Sequence, residues 1–188
     1  MSGRVGRLGA GDVACWVLKT SRPPSDLLPG WVPGTERSLT RCVRSSYRLE
    51  LMAAGQPCLL WLSGRTRAGV HALGVLTAAA GADDDGGPVI PVRLTLLRHP
   101  VPRAELLVDP RLQEAEVLRM PAGSNPSWLS APQFDAVLDR VTGSAWNHGG
   151  REPEPPPLGL DRLAAHPAVL PRGDACPVPL RGRLLPDR

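Results

Sequence analysis

The stretch "CLLWLSGRTRAGVHALGVLT", residues 58–77, reads as two apolar runs of strand length joined by a short loop that holds Ser63, Gly64, Arg65 and Arg67. The runs, about residues 57–62 and 70–78, predict two paired β-strands. A plain hairpin needs only an Asn-Gly turn. Two arginines and two glycines at the junction therefore ask for a purpose beyond reversing the chain.

Working outward, "VACWVLK" (13–19) is a β-prone apolar run halted by "TSRPPSD", where two prolines prevent continuation, and it predicts a central first strand. The segment from Leu27 to Thr40 is turn-rich and reads as a loop carrying Trp31. In "SSYRLELMAAGQ" (45–56), a serine cap, apolar Tyr47, Leu51 and Met52 and a closing Gly55 predict a short helix. "GADDDGG" (81–87) is an exposed acidic turn. "PVIPVRLTLL" (88–97) alternates as a strand does, with Pro91 marking an edge or a bulge. "RAELLVDPRL" (103–112) suggests a short helix or turn, and "RMPAGSNPSW" (119–128) is irregular. Ser130 and Gln133 have capping-box spacing before Phe134, Val137, Leu138 and Val141, a helix that Gly143 should end. Strands outnumber helices and are joined by short turns, which predicts an α+β domain around a small curved sheet or barrel.

Composition fits one domain with a tail. The chain has 188 residues with 22 prolines, many of them after position 150. Three regions follow: a flexible N-terminus (1–12), a folded domain (13–143) and a Pro-rich, mostly disordered tail (144–188). The formal charge is +4, carried almost wholly by arginine, because Lys19 is the only lysine. A GC-rich genome would produce this bias, and so would a phosphate-facing surface, since guanidinium groups grip phosphate bidentately.

Several chemistries find no support in the sequence. Cys15, Cys42, Cys58 and Cys176 form no C-x-x-C pair and lack histidines at ligand spacing, so no metal is expected. Ser63, His71 and Asp83 to Asp85 could be written as a triad, but no G-x-S-x-G elbow accompanies them. A thiol nucleophile at Cys42, a phosphate loop and a dinucleotide fingerprint likewise lack their signatures. The reading is a non-catalytic, cofactor-free, reduced cytoplasmic protein without a membrane span. Aromatic residues are scarce at 4%, yet five of them are tryptophans. Trp16, Trp31, Trp61 and Trp128, with Tyr47, can be core residues or the walls of a box that stacks a planar ligand.

The runs "WVLKTS" (16–21), "CVRSSYR" (42–48), "LMAAGQ" (51–56), "LLWLSGRTRAGVHALGVL" (59–76) and "NPSWLSAPQFDAVL" (125–138) resemble, in this order, the landmarks of the EVE domain family. The resemblance covers about residues 13–142. It implies a PUA-like β pseudobarrel with flanking short helices, related to the YTH and ASCH domains. It also implies DNA or RNA as the partner, with one flipped base, plain or modified, held in a pocket. On this footing the base pocket comprises Trp16, Lys19, Thr20, Trp31, Arg44, Tyr47, Trp61, Ser63, Asn125 and Trp128. Arg65 and Arg67 would contact flanking phosphates, with Gly64 allowing close backbone approach. Leu62, Gly64, Thr20 and Gln56 stand where the family typically has His, Asn, Ser and Asp. A second reading makes the barrel a scaffold and the Pro-rich tail a docking segment for a protein partner.

Overall fold

The structure is a computed structural model and describes the backbone of residues 7–146; the proposed tail, apart from its first three residues, lies outside the described residues. Seven strands form one sheet: β1 (Cys15–Thr20), β2 (Glu36–Cys42), β3 (Pro57–Leu62), β4 (Gly69–Leu76), β5 (Gly81–Ala82), β6 (Pro88–Pro102) and β7 (Ser127–Leu129). The order is β2-β6-β4-β3-β1-β7, with β5 paired to β6. β1 runs parallel to β3 and antiparallel to β7, and the remaining ladders are antiparallel. Four α-helices accompany the sheet: α1 (Pro24–Leu27), α2 (Arg103–Leu107), α3 (Glu116–Arg119) and α4 (Ala131–Trp146). No helix among the described residues is long and apolar enough to cross a membrane.

β1 is buried along its whole length because its two faces serve two cores. Cys15 and Val17 join Leu59, Trp61, Val70 and Val101 beneath the helical layer of Leu106, Leu112, Val117, Leu118, Ala136 and Val137. Trp16 and Leu18 face the other way, onto Leu60, Ala72, Ile90, Val92 and Leu94, under Trp31 and Met52. Residues two apart in a strand normally share a face, yet Val70 and Ala72 belong to opposite cores. The reason is His71. It is skipped in both ladders: Leu60 pairs with Ala72 and Trp61 with Val70, while Ala72 pairs with Leu96 and Val70 with Val101. An extra residue shifts the alternation by one, and the strand changes sides.

Two glycines are fixed by this packing. A Cβ on Gly74 would collide with the Arg93 carbonyl oxygen, and one on Gly69, whose φ is +153°, with that of Val101.

Several expectations need correction. The predicted helix at 45–56 is only a 3-10 turn at Tyr47–Leu51, cut short where Met52 returns to extended backbone. The segment from Leu27 to Thr40, read as loop, holds the last residue of α1 and most of β2. β2 is too exposed for an apolar alternation to mark it. Pro91 does not mark an edge, since β6 lies between β2 and β4. It is tolerated because its carbonyl accepts from Thr77 N just past the end of β4, so its missing N–H faces the side where that strand has stopped. Gly143 does not end α4, which continues to Trp146.

The barrel is also not closed by strand pairing: among the described residues no ladder joins β2 to β7. The gap is bridged by Asn125. Its Oδ1 accepts from Lys19 N at 2.9 Å, its Nδ2 donates to the Cys42 carbonyl at 3.1 Å, and its own carbonyl accepts from Arg44 N at 2.6 Å. One side chain thus holds the end of β1 to the end of β2.

Candidate nucleic-acid interface

The Asn125 junction gathers part of the expected site. Lys19 and Thr20 end β1, Ser63 follows β3 and donates its N–H to the Thr20 carbonyl at 2.7 Å, and Arg44 hangs from Asn125. Because β1 and β3 are parallel, their C-terminal ends coincide, which brings Thr20 and Ser63 together across 43 positions of sequence. The Thr20 hydroxyl accepts from Arg22 N at 3.0 Å and shapes the turn that follows.

The charges here are crowded and mostly of one sign. Lys19 is nearly buried and its ammonium donates to the Met120 and Pro121 carbonyls, both at 3.3 Å. Burial lowers its pKa, Glu116 opposes that, and the positive charges of Arg44 and Arg48 lower it further. Arg48 makes a bidentate pair with Glu116 at 2.8 and 3.0 Å and also reaches the Pro126 carbonyl. Ser127 donates to the same carboxylate at 2.7 Å. On the neighbouring β2, burial and the charge of Arg22 lower the pKa of Arg41, whose Nε is buried without a hydrogen-bond partner. Arg22, Arg41, Arg48 and Glu116 were not among the residues picked from the sequence. For the three arginines the only sequence signal is arginine itself, which is abundant throughout, and Glu116 carries none.

The aromatic residues do not form one box. Trp16 and Trp61 lie on opposite faces of the sheet, one in each core, with 0% and 3% exposure. The Trp16 indole donates to Gln56 Oε1 at 2.7 Å, and that of Trp31, also buried, to the Thr35 carbonyl at 3.0 Å. Burial in the cores leaves these three no free face for a base. Trp128, opposite Trp16 on β7, is half-buried. Tyr47 is half-buried as well, with the Arg7 guanidinium 4.3 Å above its ring. Arg65 and Arg67 are exposed on the loop between β3 and β4, and the space beside Gly64 is open.

Nothing resembling the triad is assembled. His71 Nε2 bonds to the Arg67 carbonyl, and Asp83 accepts from Gly87 N within its own turn. Cys15 and Cys58 are buried thiols, and burial pushes Cys58 up to about 12. No cluster of three or more His, Cys, Asp or Glu suited to a metal occurs among the described residues.

No protein-family model and no curated protein matches the chain. Solved structures do. A hypothetical protein from Leishmania major aligns with a TM-score of 0.53 at 17% identity, covering 73% of this chain and 99% of that one. The DUF55 domain of human thymocyte nuclear protein 1 aligns with a TM-score of 0.50 at 16% identity, covering 68% and 98%. Human THYN1 protein in complex with 5-methylcytosine containing DNA aligns at 17% identity over 74% and 99%, with a TM-score of 0.45. At such identities the likeness is one of fold alone: this chain shares the α+β architecture of the DUF55 domain, the fold class that the EVE resemblance in the sequence implies.

Proposed function

We propose that the chain is a non-catalytic nucleic-acid-binding domain that seats one extruded base, plain or modified, at the Asn125 junction. That THYN1 is solved on methylated DNA is a fact about that protein. The reading here rests on this chain's own residues. The observation that carries it is the gathering of Lys19, Arg22, Arg41, Arg44 and Arg48 around a junction where Glu116 is the carboxylate engaged. Like charges repel, so a fold that concentrates them gains when an anion arrives.

In this reading Arg22 and Arg41 take a phosphate at the junction, and the exposed Arg65 and Arg67 are left to phosphates flanking it. The Thr20 and Ser63 hydroxyls and the Asn125 amide meet the polar edge of the base, which cannot be buried unpaired without a cost of about 1–3 kcal/mol. Trp128 and Tyr47 supply the stacking surface, in place of the larger tryptophan box.

The test is the affinity of the full chain for short oligonucleotides carrying a panel of modified bases, measured across salt concentrations. Arg22→Ala and Arg41→Ala should each flatten the salt slope by about one phosphate. Unchanged slopes in both variants would overturn the assignment.

A further inference from the structure

The skipped residue His71 opens a second site. Between the Val70–Val101 and Ala72–Leu96 pairs, residues 97–100 of β6 have no partner on β4. A cavity of about 230 Å³ lies beside this break, lined by Thr66, Arg67 and Ala68 from the loop, by His71, and by the Pro100–Pro102 run. Its size is below the ~300–1,000 Å³ of pockets for drug-sized molecules, so its occupant is a fragment such as one heterocycle.

The chemistry of the wall is specific. His71 Nε2 lies 2.9 Å from the Arg67 carbonyl oxygen, which can only accept, so Nε2 carries the proton. Burial lowers the pKa of the ring, the Arg67 carbonyl opposes this and the Arg67 charge reinforces it, so the ring is neutral near physiological pH. Nδ1 is then a bare acceptor, and no group among the described residues donates to it. Pro100, Val101 and Pro102 form an apolar side, while Thr66 and the exposed Arg67 supply a hydroxyl and a cation at the opening.

We infer that this cavity binds a nucleotide, with a nucleobase N–H donated to His71 Nδ1, the ring against Pro100 and Pro102, and the phosphate on Arg67. The site is separate from the Asn125 junction and does not depend on what binds there. The nucleotide can come from either of two sources: a free mononucleotide, or the next residue of a strand held at the junction. Ser63 and Thr66, one at each site, are three positions apart.

The experiment uses the full chain with ¹⁵N-labelled histidine. The His71 Nδ1 resonance, assigned by its loss in His71→Phe, is followed during titration with AMP, with inorganic phosphate, and with a short single-stranded oligonucleotide. AMP should move the resonance and bind about tenfold tighter than phosphate, the worth of roughly one hydrogen bond. Arg67→Ala, an exposed change that leaves the fold alone, should weaken AMP about tenfold. Movement with the oligonucleotide assigns the site to a strand, and movement with AMP alone to free nucleotides. A resonance unmoved by millimolar AMP and by oligonucleotide overturns the proposal, as does phosphate binding as tightly as AMP.

Discussion

The Arg48–Glu116 pair fixes the segment that carries Asn125, and its removal has a calculable effect. The two side chains are 15% and 13% exposed, and Glu116 also accepts from Ser127, while Arg48 donates to Pro126. Glu116→Gln leaves a nearly buried guanidinium without its counter-charge. Breaking such a pair costs about 3 kcal/mol, which for a chain of this size lowers Tm by roughly 6–12 °C.

The pH dependence follows with its sign. Burial pushes the Glu116 carboxyl up, but the hydrogen bonds from Arg48 and Ser127 outweigh burial and hold it below its usual 4.5. A lowered folded pKa means that the stabilisation is fully present above 4.5 and is lost as the pH falls through the lower folded value. Thermal denaturation of the wild type, Glu116→Gln, Arg48→Met and the double variant, between neutral pH and about pH 3, measures both effects. The double variant should be less destabilised than the sum of the singles, and the gap between wild type and Glu116→Gln should close in acid. Additive singles, or a gap that stays constant with pH, would refute this account.

Three further outcomes are expected. Trp16→Ala should cost about 3–5 kcal/mol of stability in urea denaturation, as a buried core residue does; normal stability with lost oligonucleotide binding would instead make it a pocket wall. Gly74→Ala should leave little folded protein by circular dichroism, since its Cβ would meet the Arg93 carbonyl oxygen with no flexible side chain to give way. Cys15 and Cys58 should resist alkylation at pH 8 in the native chain and react once it is unfolded, because burial raises both thiols, Cys58 to about 12. Fast native labelling of either would contradict their burial.

Local pattern was enough for elements that meet their partners nearby. The run at residues 58–77 declared β3, β4 and the turn between them, because both strands are apolar on two faces and adjacent in the chain. Ser130 and Gln133 announced the start of α4, and the Ser130 N–H does donate to Gln133 Oε1 at 3.0 Å. β2 was invisible because its exposed, charged residues pair with β6 across some fifty positions, and no apolar period records such a pairing.

The candidate site divides in the same way. The resemblance to the EVE landmarks, carried by their order along the chain, nominated Lys19, Thr20, Arg44, Ser63 and Asn125. Which tryptophans remain available could be decided only in three dimensions. Trp16 and Trp61 sit on neighbouring strands at positions of opposite parity, so the pleat sends them into different cores. The bulge at His71, the cavity beside it and the closure of the sheet by one asparagine exist only in the assembled structure. A bulge is a mismatch between two ladders, and a closure joins distant strand ends, so neither leaves a mark on any one stretch of sequence.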